Sequence, residues 1–430
     1  MSIASEIQRI NGNIADAYNA CAAKGATMPV TNNSASLANT IDTISAGGGG
    51  ELGSLGIGNY YVNNGVAQPQ AGDVSDAFKS ITTISNFGMN SACNNMQSIT
   101  GVANFSNLTS IGNNGLYYAF FNCRNITGVN FPVLTNINSY GMYWAFTNCV
   151  NLSGDISFGM NEINGSNTMS CSFAGTNIGN VSFPNLQYIK GYNAMQACFG
   201  GLGTFGSNII SVNMCNLKQI NYAGLYTAFQ NCKKLVNADF SGLQLLDTYG
   251  MVGTFWDCWN LTEMHFNSLS NMAGFSFNYC FHNCYNLTTL SFPAIVNCHN
   301  GAEFCMLCRN CYNLTNINFE NLALLNWNNA FYNAFQYCNN LTTVYFNSIN
   351  YINGAVFSGC FYGCSRLQDI YFPALTPDSF PSHKYQFSSM LWNVNGCTVH
   401  FPAAIQGTIG SWPEVISGFD GTNTTILFDL

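Results

Sequence analysis

The stretch from Cys280 to Ile295 reads CFHNCYNLTTLSFPAI, and near copies of it recur on both sides. AFFNCRNITGVNFPVL spans Ala119 to Leu134, and TFWDCWNLTEMHFNSL spans Thr254 to Leu269. AFQYCNNLTTVYFNSI spans Ala334 to Ile349, and CFYGCSRLQDIYFPAL spans Cys360 to Leu375. The shared cysteine forms a ladder at Cys123, Cys149, Cys232, Cys258, Cys284, Cys311, Cys338 and Cys364, with gaps of 26, 83, 26, 26, 27, 27 and 26. The gap of 83 holds two more units if Gly175 and Gly206 stand at the ladder position. A fixed period in this range marks a solenoid, because one such unit cannot bury its apolar face until neighbours stack on it.

Each part of the unit has a physical reading. L-T-x-h-x-F, with h apolar, alternates apolar and polar residues as a strand with one buried face does. Leu287, Leu290 and Phe292 point inward, and Thr289 and Ser291 outward. Pro293 has no N–H to donate and ends the ladder. The segment before each ladder cysteine, such as LYYAFFNC, is short and aromatic, and predicts a brief helical or 3₁₀ turn. Phe120, Phe146, Phe229 and Phe281 fall in register and predict a stacked column. The recurrent Asn of N-C-x-N bonds neighbouring loop backbone. The cysteine itself is a small, buried, weakly donating side chain. Residues 155–158 carry the strand text shifted by one residue. Counting strand ends gives about 12 turns of 26–27 residues with a parallel β-sheet on one face.

Around this body the chain divides into an N-terminal module (1–45), a glycine-rich hinge (46–50), a transition and cap (51–90), the solenoid (91–402) and a C-terminal cap (403–430). In the module, Ile3, Ile7, Ile10, Ile14 and Ala17 are spaced as a heptad seam. A helix this short is marginal alone, so it either packs on a second short helix at 34–44 or finds a partner chain. The second alternative makes residues 1–24 an oligomerisation or docking anchor, trimeric in the simplest case.

Composition narrows the function. The chain has 430 residues, 19 Cys, 62 Asn and 41 Gly, and a net charge of −8. Only 7% of residues are charged, against about 25% in an ordinary soluble domain. Eleven basic residues cannot build an extensive phosphate-binding surface, which excludes nucleic acid as a partner. No apolar run reaches membrane-spanning length. Met1 to Ile10 shows no secretion signal. No phosphate loop, dinucleotide fingerprint or hydrolytic triad is present, so neither an enzyme nor a cofactor is expected. Cys298, His299, Cys305, Cys308 and Cys311 have spacings that can hold a metal, but Cys311 is a ladder cysteine and Cys308 occupies the phenylalanine column, so no metal is expected.

The surface that remains is the row of outward strand positions: Asn237 and Asp239, Glu263 and His265, Thr289 and Ser291, Asn316 and Asn318, Thr343 and Tyr345, Asp369 and Tyr371. Trp259, Tyr285 and Tyr312, each next to a ladder cysteine, predict a second row. Aromatic area with amide hydrogen bonding and little charge suits a glycan or a protein receptor. A merely solvated face reads the same way, since Thr and Tyr also favour strands.

A-F-x-x-C-x-x-L-x-x-I-x-F-P, quoted best by 119–134 and 360–375, resembles the leucine-rich repeat of the BspA-like family. That resemblance implies a non-enzymatic surface adhesin or binding protein. The family unit is nearer 23 residues, so a wider coil is expected here. The ends, SIASEIQRINGNIADAYNACAAKGATMP with NSASLANTIDTI and HFPAAIQGTIGSWPEVISGFDGTNTTILFDL, resemble phage and prophage tail-associated proteins of gut bacteria. This second resemblance implies a virion protein, a tail fibre or spike component assembled in the host cytoplasm. Its N-terminus would join other tail proteins and its repeats would contact the host surface. A bacterial surface adhesin and a purely structural virion protein are the competing readings.

Overall fold

A computed structural model describes residues 60–63, 66–69, 72–201, 206–298, 301, 303–379, 386–409 and 421–430. The N-terminal module, with Ile3, Ile7, Ile10, Ile14 and Ala17, lies outside the described residues, as does the glycine hinge. The chain winds into a parallel β-solenoid of about 13 turns. Among the described residues, helix is confined to 3₁₀ turns at Pro377–Ser379 and Ala403–Ile405 and a short α-helix at Gln406–Ile409.

Each coil has three faces. The first is a strand of the L-T-x-h-x-F text, such as Thr289–Ser291. Successive strands pair in parallel and in register: Glu263, Thr289 and Asn316 align, as do His265, Ser291 and Asn318. The first described strand of this face, Gly72–Asp73, pairs with Ile99–Asn104. The last, Thr425–Leu427, pairs with Thr398–His400 and so covers the final repeat. Ile405 is buried beneath it, and Ile426 and Phe428 pack against the core. The shifted text at 155–158 is absorbed by a register break between Ile178 and Val181, which leaves Phe158 in line between Phe131 and Phe183.

The second face is a sheet that the sequence reading did not include. It is built of two-residue strands such as Glu162–Ile163, Tyr188–Ile189 and Gln219–Ile220, again parallel. One buried and one outward residue per strand is too short an alternation to register as a strand.

The third face corrects the expected helical turn. Residues 112–123 form neither α nor 3₁₀ helix. Asn114, Tyr118 and Asn122 take positive φ (53°, 53° and 58°), and the same spacing of four recurs in other coils. The N–H groups then alternate in direction. Those of Tyr117, Ala119 and Phe121 donate three residues back within the coil. Those of Leu116, Tyr118, Phe120 and Asn122 donate to Gly141, Tyr143, Ala145 and Thr147 of the next coil, at 2.7–2.9 Å. A helix would spend these donors on itself. The repeated left-handed residue diverts half of them along the solenoid axis and joins coil to coil.

Between the faces runs one apolar core. Phe120, Phe146, Phe173, Phe199, Phe229, Phe255 and Phe281 stack with centroids 4.9–5.7 Å apart and nearly parallel planes. Cys308 interrupts this column. Phe277, Phe304, Phe331, Phe357 and Phe387 form another column four residues earlier in the coil that runs past the break, and the first column resumes with Phe335 on Phe361 at 5.6 Å.

The ladder cysteines also cap backbone. Their Sγ atoms reach a carbonyl of the preceding coil: Cys149 to Phe120, Cys258 to Phe229, Cys311 to Phe281 and Cys364 to Phe335, at 3.0–3.1 Å. The position assigned to Gly175 and Gly206 is off by one. Thr176 and Ser207 stand there, and both hydroxyls donate to the Phe173 carbonyl, at 2.8 and 2.6 Å. Gly175, at φ 73°, instead replaces the left-handed Asn of other coils.

Candidate functional site

The first face presents the outward residues of each strand. Asn237, Asp239, Glu263, His265, Asn316 and Tyr345 are exposed, and Thr289, Asn318, Thr343, Asp369 and Tyr371 are half-buried. Ser291 departs from the sequence reading: it is only 8% exposed. His265 Nε2 lies 3.5 Å from a Glu263 carboxylate oxygen of its own strand. Thr289, Asn316 and Thr343 belong to three successive coils, so their side chains form one row along the solenoid.

Toward the C-terminal end this row becomes an aromatic stack. Tyr345 lies on Tyr371 at 4.7 Å with planes 10° apart, and Tyr371 lies on the His400 ring at 4.2 Å and 9°. His400 is held from both sides. Its Nδ1 is 3.0 Å from both oxygens of Asp429, and its Nε2 is 3.2 Å from Asp369. Burial, then the Asp369 carboxylate, pushes the Tyr371 phenol up, so it stays a neutral donor on the surface. His400 ends this stack because it pairs in register with Tyr371. Asp429 was not legible, because it arrives from the cap rather than from a repeat.

The second expected row also comes together. Trp259 and Tyr285 are 5.6 Å apart, and Tyr285 and Tyr312 stack at 5.3 Å with planes 1° apart. Lys233 extends the row, its Nζ 3.9 Å from the Trp259 ring centre, which is cation–π geometry. Burial, then the Asp257 carboxylate, pushes the Tyr285 phenol up. The two rows lie on separate parts of the coil, since the second borders the corner where the turn face ends.

Asn ladders run beside these rows. Asn122 donates to Asn95 and Asn148 to Asn122, at 2.8 and 2.7 Å. Asn283 donates to Asp257 and Asn310 to Asn283, both at 2.8 Å. A second ladder links Asn260, Asn286, Asn313 and Asn340. These amides are spent on one another, so they hold the corner rather than offer themselves to a ligand.

The cysteine cluster does not form a centre. Cys308 and Cys311 are buried in the core, Cys298 is buried on the second face, Cys305 is half-buried on the turn face, and His299 lies outside the described residues. Among the described residues no three His, Cys, Asp or Glu side chains gather closely enough to hold a metal. Cys311 Sγ bonds the Phe281 carbonyl, and the Cys308 backbone carbonyl accepts Cys338 Sγ at 3.2 Å.

Sequence reasoning missed the aromatic side chains of the turn face. Tyr117 stacks on Tyr143 at 5.1 Å, and Tyr118 on Trp144 at 5.6 Å. Tyr192, Tyr222, Tyr249 and Phe275 form a partly exposed run with centroids 5.2–5.5 Å apart. Tyr117–Tyr118 and Tyr143–Trp144 were the signal, but the reading of that segment as a brief helical turn followed only its phenylalanine.

A shallow cavity of about 250 Å³ is lined by Asn161, Asn185, Gln187, Asn216 and Lys218, at the corner before the short strands. Lys218 is already bonded to Gln187 at 2.9 Å, and Asn216 to the Pro184 carbonyl at 2.7 Å.

The BspA type leucine-rich repeat region matches this chain in six copies, over residues 76–201, 173–304, 203–333 and 253–391. No curated protein matches it. Among solved structures, a leucine-rich repeat protein from Bacteroides ovatus is 15% identical, with 87% of this chain and 99% of that one covered and a TM-score of 0.41. A leucine rich cell surface protein from Faecalibacterium prausnitzii is 11% identical, with 86% and 94% covered and a TM-score of 0.30. A leucine-rich repeat protein from Eubacterium ventriosum is 16% identical, with 69% and 89% covered and a TM-score of 0.24. The repeat match spans most of the described solenoid, and the chain belongs to the BspA-type leucine-rich repeat family.

Proposed function

We propose that this protein is a non-enzymatic binding protein whose solenoid docks a cell-surface glycan or protein along its outward strand row. Leucine-rich repeat solenoids are typically binding scaffolds. The observation that carries the reading is the Tyr345–Tyr371–His400 stack, with Asp369 and Asp429 fixing the imidazole. Rigid aromatic area whose orientation is set before binding loses little entropy on contact. Many copies on one particle would add weak contacts through multivalency.

We further propose that the chain serves as a tail fibre or spike component of a virion. In this reading residues 1–24 join other tail proteins, and the repeats face the host cell. The support is the resemblance of its ends to tail-associated proteins, together with cysteines that are mostly buried and form no disulfide among the described residues, as suits assembly in a reducing cytoplasm. The family match favours a second reading, a bacterial surface adhesin.

The test is adsorption of labelled full-length protein to a panel of gut bacterial cells. The Tyr345→Ala/Tyr371→Ala double variant should bind at least about tenfold more weakly at an unchanged melting temperature. Equal adsorption by the folded variant removes the strand row from the proposal. Recovery of the chain in purified tail particles supports the virion reading, and recovery on the surface of the producing bacterium supports the adhesin.

A further inference from the structure

Both ring nitrogens of His400 face carboxylates. Nδ1 lies 3.0 Å from the two oxygens of Asp429, and Nε2 lies 3.2 Å from Asp369. A carboxylate only accepts hydrogen bonds, whereas a neutral imidazole carries one N–H and one lone pair. In either neutral tautomer one nitrogen would therefore turn its lone pair on an anion. The doubly protonated ring is the form that donates to both sides. Among the described residues neither Asp369 nor Asp429 has another ion-pair partner. Without the second proton, two negative charges would flank a neutral ring that is only 8% exposed.

The three groups come from three neighbouring strands of one sheet. Asp369 belongs to Asp369–Tyr371, His400 to Thr398–His400, and Asp429 follows the cap strand Thr425–Leu427. The cap is otherwise lightly held. Its strand stands at the edge of the sheet, with Thr425 and Leu427 exposed and Ile426 and Phe428 half-buried. Beyond the strand pairing, the Leu430 N–H reaches the Phe401 carbonyl at 3.2 Å. A short, exposed edge strand is where a fold of this kind opens locally while its core stays closed. The other titratable groups around the ring keep their protons. Burial, then the Asp369 carboxylate, pushes the Tyr371 phenol up and the Cys397 thiol up to about 12.

We infer that His400 is a proton-operated latch that fastens the C-terminal cap to the last two coils. The protonated ring ties Asp429 to Asp369 and lies flat against Tyr371, so the cap is shut and the end of the aromatic stack is fixed. When the second proton leaves, one carboxylate loses its donor and meets a lone pair instead, and the cap strand loosens. The closed cap needs that proton and the open cap does not. The latch therefore holds in mildly acidic solution and lets go as pH rises. The inference rests on this geometry and not on the strand row as a binding surface.

The test is hydrogen exchange of the full-length protein at pH 5.5 and 8.5, read by mass spectrometry and corrected for the intrinsic effect of pH on exchange. Protection of residues 421–430 should fall at least about tenfold between the two, which is the worth of one unit of preference for the charged ring. The strand Thr289–Ser291 should keep its protection. His400→Gln cannot carry the charge, so its cap should be equally weak at both values. Asp429→Asn offers an amide N–H to the lone pair of the neutral ring, so its cap should stay shut at pH 8.5. Wild-type protection that ignores pH, a pH response that persists in His400→Gln, or an Asp429→Asn cap that opens as the wild type does would overturn the inference. Exchange is measured without cells, so a failure of adsorption counts against the strand row alone.

Discussion

The corner asparagine performs two tasks at once. Asn283 takes a positive φ of 60°, its amide donates to Asp257, and its side-chain oxygen accepts from Asn310. Asparagine tolerates the left-handed region better than most residues and can still bond its neighbours, which is why it recurs here. Asn283→Ala should lose both hydrogen bonds and add backbone strain, for about 2–4 kcal/mol in chemical unfolding. Asn283→Gly removes the same bonds but relieves the φ penalty, so it should cost roughly 1 kcal/mol less. Equal losses for the two variants would show that the conformation does not matter at this position. The Asn pattern was fully visible in the sequence. Its left-handed backbone was not, because the repeat text gives the residue and not its φ.

At the scale of the element, the phenylalanine column is what makes coils adhere. Phe255 stacks between Phe229 and Phe281 at 5.7 and 5.5 Å and meets Phe240 edge-on. Phe255→Ala opens a cavity bounded by three coils, and the expected cost is about 3–5 kcal/mol in urea unfolding. The hydrogen-exchange protection of coils 229 to 281 should fall together, since each coil depends on its neighbours. Loss confined to one coil would contradict that coupling. The column was legible from register alone, because the same residue type repeats at the same place. The turn ladder around it was not. A short aromatic segment fits a helical turn equally well, and only the alternating N–H directions, decided by the neighbouring coil, separate the two.

For the whole molecule, the thiols act as a group. Burial pushes Cys232 and Cys364 from the ordinary 9.0 up to about 12, and pushes Cys149, Cys258, Cys280 and Cys360 well above their ordinary value. The fold therefore favours the protonated thiol. That stability is intact below about pH 9 and is lost as pH rises from 9.0, where unfolded thiols ionise, toward about 12. The urea midpoint should hold steady through neutral pH and fall steeply above pH 9. Native protein at pH 8 should also react with a thiol reagent first at the partly exposed Cys215, while the ladder is spared and burial, which pushes Cys171 up to about 12 and Cys305 up to about 11, slows those two. A midpoint that stays flat to pH 11, or rapid labelling of ladder cysteines, would mean that the core is open.

By itself the sequence determined the repeat, its period, the alternation of inward and outward strand residues except at Ser291, the phenylalanine and cysteine columns and the family. Each of these is a one-residue-per-coil property, and repetition makes such a property readable without knowing the path of the chain. Only the tertiary structure decided the rest: the second sheet, the left-handed turn ladder, the hydroxyls of Thr176 and Ser207 in place of thiols, and the clamp of Asp369 and Asp429 on His400. Each of these depends on a bond between neighbouring coils, or between the last coil and its cap. Such a bond joins residues 26 or more positions apart, and its geometry is set only when the coils stack.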